Sequence, residues 1–216
     1  MNKKFFGLLL LSGLLVPVAA KAAPAPVTTT ASPAWEFTSV GPTNYGHSEL
    51  GFTLGEIFTP TQNIVVYSMG YFYDSSIGMS DSHPVAMYDA TGTLLASTII
   101  TNASSTDAQG NFKFNSITPI TLIAGDTYVI DGASGETDPW TWNDTGFTVN
   151  APITLLGDSW ASNDGTSASF SGTTSKHDAA NGYWGADFST TPEPSSFLLL
   201  GSGLAGLAGL IKCKLA

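Results

Sequence analysis

Residues 64–73 read IVVYSMGYFY, a run built from Ile, Val, Tyr, Met and Phe. β-Branched and aromatic side chains suit a pleated surface. The run is apolar at both odd and even positions, so it has no face to give to water, and a strand of that kind must be covered on both sides. Turn-forming residues close it off, Gln62 and Asn63 before it and Asp74, Ser75 and Ser76 after it. The reading is a central β-strand, and it sets the fold class for its surroundings.

Outward from this strand the same texture repeats. Short β-branched and aromatic runs are cut by Gly, Asn, Asp or Pro every eight to twelve residues, the pattern of a sandwich or barrel. Expected strands are 51–58, 64–73, 85–88, 94–101, 111–117, 120–123, 127–130, 145–149, 153–156, 167–171 and 183–188. Between residues 35 and 190 apolar residues never keep helical spacing beyond about two turns. In YDATGTLL, Asp89 and Gly92 hold the end positions of a type I turn and join two antiparallel strands. TPITLIAGDTYVI suggests a second such pair, turning at Gly125 and Asp126. The expected architecture is all-β, an antiparallel β-sandwich of jelly-roll-like form over residues 35–190, with no internal repeat.

The two ends of the chain differ from this middle. Lys3 and Lys4 precede the apolar run Phe5 to Val16, and Ala20-Lys21-Ala22 supplies an A-x-A exit. That layout describes a secretory signal peptide over residues 1–22, cut after Ala22 or, alternatively, after Ala20. No cysteine follows the run, which argues against a lipid-anchored lipoprotein. Residues 23–34 are rich in Pro, Ala and Thr without apolar periodicity and read as a flexible linker. At the far end residues 191–216 contain a nearly uncharged stretch, Phe197 to Ile211, closed by Lys212 and Lys214. As a helix these residues rise about 22 Å, a short span for a hydrocarbon core of about 30 Å. They are expected to form a single C-terminal transmembrane helix, with the lysines on the cytoplasmic side. Gly201, Ala205 and Gly209 would line one small-residue face of it.

Export fits the charge. Residues 24–191 hold sixteen Asp and Glu against two lysines, Lys113 and Lys176, and the chain has no arginine. Nucleic acid and anionic lipid bind through Lys and Arg that displace counterions, so a nucleic-acid partner is excluded. The single cysteine, Cys213, leaves no intrachain disulfide, and the fold must rest on its core.

ELGFTLGEIFTPTQNIVVYSMGYFY, HPVAMYDATGTLLASTII and FKFNSITPITLIAGDTYVI, spanning Glu49 to Ile130, resemble a family of bacterial extracellular β-sandwich domains of unknown function that often accompany carbohydrate-active modules. The resemblance implies a sandwich and no catalytic residue. Pro192-Glu193-Pro194, the glycine- and leucine-rich run after it and the basic end resemble the PEP-CTERM sorting signal of Gram-negative bacteria, although the end carries two lysines where the family is arginine-rich. This second resemblance implies recognition by exosortase, a membrane-embedded cysteine transpeptidase. It further implies cleavage near the motif and passage from a membrane-anchored form to the cell surface or extracellular matrix. Flanking prolines keep the tripeptide extended and open to a protease.

Several constellations invite a sharper function. Gly157-Asp158-Ser159 follows an apolar run and resembles the nucleophile block of GDS-type esterases, which makes Ser159 the catalytic candidate of a secreted hydrolase. That chemistry needs a histidine oriented by a carboxylate. The sole later histidine, His177, lacks the family's Asp-x-x-His spacing, and a strand ending in a turn is the preferred reading of Gly-Asp-Ser, so no catalytic residue is assigned and the protein is read as a non-enzyme. His47, His83 and His177 are too scattered to suggest zinc. Loop oxygens at Asp138, Asn143 and Asp144, with Asp74, Asp81, Asn163 and Asp164 in other loops, form candidate calcium loops without EF-hand spacing. A structural calcium is the single cofactor considered. Trp140 and Trp142, two residues apart, share one face of a strand and form a candidate platform for sugar rings, extended by Trp160 and Trp184. Alternatively they cover an open end of the core. The expected function is a structural or adhesive surface protein that binds extracellular polysaccharide.

Overall fold

The strand at Ile64–Phe72 does lie inside a sheet, between two neighbours. In chain order the strands are β1 (Trp35–Glu36), β2 (Thr43–Tyr45), β3 (Gly51–Pro60), β4 (Ile64–Phe72), β5 (His83–Asp89), β6 (Leu94–Ile100) and β7 (Ser105–Thr106). They continue as β8 (Phe112–Leu122), β9 (Tyr128–Ala133), β10 (Pro139–Trp142), β11 (Thr148–Val149), β12 (Ile153–Asn163), β13 (Tyr183–Trp184) and β14 (Ala186–Ser189). The structure, a computed structural model, describes residues 33–38, 43–45, 51–107, 110–142, 144–163, 165–175 and 183–190. The expected signal peptide, its cleavage point at Ala22, the sorting motif at Pro192 to Pro194 and the span 197–211 lie outside them. Among the described residues there is no helix, and hence none long and apolar enough to cross a membrane.

Two main sheets, ordered β12-β3-β9-β5-β6 and β14-β4-β8-β7, are antiparallel at every pairing and pack face to face as a β-sandwich. Phe58 of β3 stacks on Phe188 of β14 with centroids 4.8 Å apart, and Tyr71 of β4 stacks on His83 of β5 at 4.1 Å. Val66, Met69, Met87 and Ile130 fill the space between, each removed from solvent. Burying side chains of this size contributes about 1.5–3 kcal/mol apiece. The opposite face of β4 is covered as well, because Phe37 packs on Phe72 at 6.2 Å and on Phe112 at 5.6 Å. That second cover accounts for the apolar Phe72 end of the run, while Val65 and Tyr67 nearer its start are only partly buried.

The turn at Asp89–Gly92 forms as expected: Gly92 N donates to Asp89 O at 3.0 Å and joins β5 to β6. The turn at Gly125 also forms, but β8 and β9 are not a hairpin. β8 pairs with β4 and β9 with β3 and β5, so the chain crosses here from one sheet to the other. The β3–β4 connection crosses beside it, and Gly125 N donates to Pro60 O and Ala124 N to Asn63 Oδ1, locking the two corners together.

Other boundaries moved for physical reasons. The two runs expected at 111–117 and 120–123 are one strand, β8. It carries Pro119, which has no N–H to give. The ladder steps over it, since Val66 pairs with Ile120 and Ser68 with Ser116. Residues 153–156 extend to Asn163 across a register shift at Gly157, whose φ is 139°. Residues 167–171, expected as a strand, lie over the outer face of the five-stranded sheet instead.

Candidate functional site

β10, the middle strand of a small three-stranded sheet β13-β10-β2, is held by a reciprocal clasp at its start. Asp81 Oδ2 accepts from the N–H groups of Glu136, Thr137 and Asp138 at 2.9, 2.6 and 3.1 Å. Asp138 Oδ2 returns the contact, accepting from Ser80 N at 2.8 Å and Asp81 N at 2.7 Å. His83 Nε2 adds a third contact to Asp138 Oδ2 at 3.0 Å, while Nδ1 faces Ala133 O at 2.9 Å. Burial pushes both carboxyls up, yet the bonds from Thr137 and Asp138 to Asp81, and from His83, Ser80 and Asp81 to Asp138, hold both below the ordinary carboxylate value. Gly135 sits at φ 71° against Asp81, where a side chain would collide.

Two residues beyond this clasp Trp140 enters the sandwich end. With Phe52 and Leu54 of β3 and Trp160 of β12 it lines an apolar recess of ≈ 180 Å³. Phe52 meets both indoles edge to face, Trp140 at 6.4 Å and 74° and Trp160 at 5.9 Å and 83°. Trp140 is 8% exposed and Trp160 half-buried. Pockets for drug-sized ligands run about 300–1,000 Å³, so this one takes a single ring. Its chemistry is apolar stacking on aromatic faces.

The expected platform is thus partly rearranged. Trp142 shares the Trp140 face of β10 and is half-buried, but the recess is completed by Trp160 from another sheet. Trp184 is paired with Thr141, one position off the platform register. Phe52 and Leu54 were not anticipated, because in sequence they read as ordinary alternating strand residues.

The remaining candidates have structural partners. Ser159 lies in the middle of β12, 1% exposed, and its hydroxyl donates to Ser171 O at 2.9 Å. Its environment is a ladder rather than the turn expected for Gly-Asp-Ser. Asp138 has both oxygens engaged by the clasp, and Asp144 Oδ1 accepts from the Thr141 hydroxyl at 2.8 Å. Asp74 Oδ1 accepts from Ser76 N and Oγ within its own turn. Asn143, Asp164, His47 and His177 lie outside the described residues, as does the side chain of Asn163. Among the described residues no group of three or more His, Cys, Asp or Glu is placed to hold a metal ion.

Comparison with known families gives two matches. Residues 39–188 match the domain of unknown function DUF4082, and residues 190–212 match the PEP-CTERM protein-sorting motif. No curated protein matches the chain.

Proposed function

Because the chain belongs to the DUF4082 family and carries an exosortase-recognised export and surface-sorting motif, we infer that it is a non-catalytic adhesive protein that holds polysaccharide at the Trp140–Trp160 recess. The observation that carries this reading is the recess itself: four apolar walls, two of them indoles, sized for one sugar ring. Its position favours display. Phe188, next to the sorted tail, stacks on Phe58, whereas Phe52 of the recess is six residues away along β3, about 20 Å at strand rise. The chain therefore leaves the sandwich at the end opposite the recess and presents the recess away from its attachment. The tail is a recognition element: the span 197–211 anchors the protein in the membrane until exosortase acts near Pro192 to Pro194.

Glycan-panel binding to the exported protein tests the reading, with Trp160→Ala as the variant because this indole is the less buried of the two in the recess, and unchanged far-UV circular dichroism checks that the variant still folds. Binding reduced at least tenfold by that change is expected. Equal binding by wild type and variant, or none by either, removes the recess as a glycan site.

A further inference from the structure

Residues 165–175 cross the outer face of the five-stranded sheet without joining its ladder. Four neighbouring strands each send up one side chain to hold them. Ser159 of β12 donates to Ser171 O, and Thr53 of β3 donates to Ser167 O at 3.1 Å while accepting from Ser169 N at 3.2 Å. Asp131 of β9 accepts from Ser171 N at 3.1 Å, and Tyr88 of β5 donates to Ala168 O while its ring packs on Phe170 at 5.5 Å. Gly55 is paired with both Ser159 and Asp131 in one row. A Cβ there would land on Asp131 Oδ1, so the missing side chain is what lets the carboxyl lie beneath the covering segment.

Asp131 is wholly removed from solvent, and its Oδ1 has no hydrogen-bond partner. We propose that residues 165–175 are a pH-released strap, seated on the sheet while Asp131 is protonated and lifted from it when Asp131 ionises. An ionised carboxylate needs water or more donors than this site offers, and raising the strap supplies the water. Burial pushes the Asp131 carboxyl up to about 7, against the opposing hydrogen bond from Ser171 N.

The surroundings do not offset the charge. From β5 the neighbouring ionisable group is Tyr88, whose hydroxyl is pushed up by its own burial and then by Asp131. From β3 and β12 the nearest ionisable groups are Glu56 and Asp158, one position along from Gly55 and Ser159 and therefore on the opposite sheet face. Residues 165–175 contain no Asp, Glu, Lys, Arg or His. Lys113, the cation among the described residues, belongs to β8 in the other sheet. Lifting the strap uncovers Thr53, Tyr88, Asp131 and Ser159 together.

Hydrogen exchange read by mass spectrometry on the full chain, corrected for intrinsic rates, tests this at about pH 5 and about pH 9, either side of the Asp131 transition. Protection of 165–175 should fall on the alkaline side by about a hundredfold, the ratio set by the two pH units between 5 and the seated value of about 7, while β4 and β8 keep theirs. Asp131→Asn should abolish the pH dependence, and Ser159→Ala should move the release to lower pH. Strap protection that is flat with pH in the wild type, or equally pH-dependent in Asp131→Asn, overturns the proposal. Should Asp131→Asn not fold, an unmoved transition in Ser159→Ala overturns it as well.

Discussion

Glu56 and Asp158 stand directly opposite each other across β3 and β12, and neither reaches solvent. Neither Glu56 oxygen has a hydrogen-bond partner. Burial first, then the charges of Asp158, Asp187 and Asp131, push the Glu56 carboxyl well above its ordinary value of 4.5. Native Glu56 therefore keeps its proton at a pH where the unfolded chain has lost it. Its contribution to stability is complete below 4.5 and is lost as pH rises toward the native value. Buried Asp187, raised by burial above all, acts in the same direction. Glu56→Gln should thus unfold at the same urea concentration as wild type near pH 4 and at a clearly higher one near pH 8. Equal pH slopes for the two proteins would falsify this account.

Lys113 is buried, and among the described residues no carboxylate forms an ion pair with it. Its ammonium donates to Asn102 O at 3.0 Å, Ser104 O at 3.3 Å and the Thr106 hydroxyl at 3.3 Å, and lies 4.4 Å from the Tyr73 ring centre. It fixes the 101–107 connection onto β8 as a tethered cation. Lys113→Met keeps the stem and strips the acceptors of their donor, which should destabilise the domain by about 1–3 kcal/mol. Urea titration gives the number, and faster amide exchange confined to 101–107 would locate it. A variant as stable as wild type would show that the cage contributes nothing.

The β-rich character, the 64–73 strand and the Asp89–Gly92 turn were legible because each is written locally, in residue type and period. Trp35 was not. It lies in a two-residue strand after Pro33, and what makes it structural is contact with Phe58 and Phe188, far away in sequence. β10 was legible only as the shared strand face of Trp140 and Trp142 and not as an element with bounds, because Asp138 and Pro139 look like loop chemistry until Asp81 and His83 are brought to them. Residues 167–171 alternate like a strand, but their partners are side chains, which period alone does not reveal. The Trp140–Trp142 spacing was readable, whereas the meeting of Trp140 with Trp160 depends on which strands become neighbours.

Chelation should leave stability unchanged. Asp138, the central member of the expected calcium loop, already accepts four contacts from Ser80, Asp81 and His83, and Asp144 Oδ1 accepts from Thr141. A cation at Asp138 would have to displace N–H donors that hold β10. Melting curves with excess chelator and with millimolar calcium should superimpose. A structural ion at a hundred times its Kd would add about 2.7 kcal/mol, so a calcium-dependent rise in Tm would assign it a site.

Trp35 closes the sandwich end from which the sorted tail departs. Its ring is fully buried, edge-on to Phe188 at 5.5 Å and to Phe58 at 6.4 Å. The segment around it is tied to β14: Ala34 N donates to Phe188 O at 2.7 Å and to Asp187 Oδ1 at 3.1 Å. Trp35→Ala removes the ring that seals the Phe58–Phe188 stack and should cost about 3–5 kcal/mol. Trp35→Phe, which still meets both rings, should cost much less. Because β14 leads into the tail, the alanine variant should also expose Ser189 and Thr190 to protease under conditions where the phenylalanine variant stays intact. If both variants resist cleavage and unfold together with the wild type, the seal lies elsewhere, and residues 33–38 are an ornament on a sandwich that closes without them.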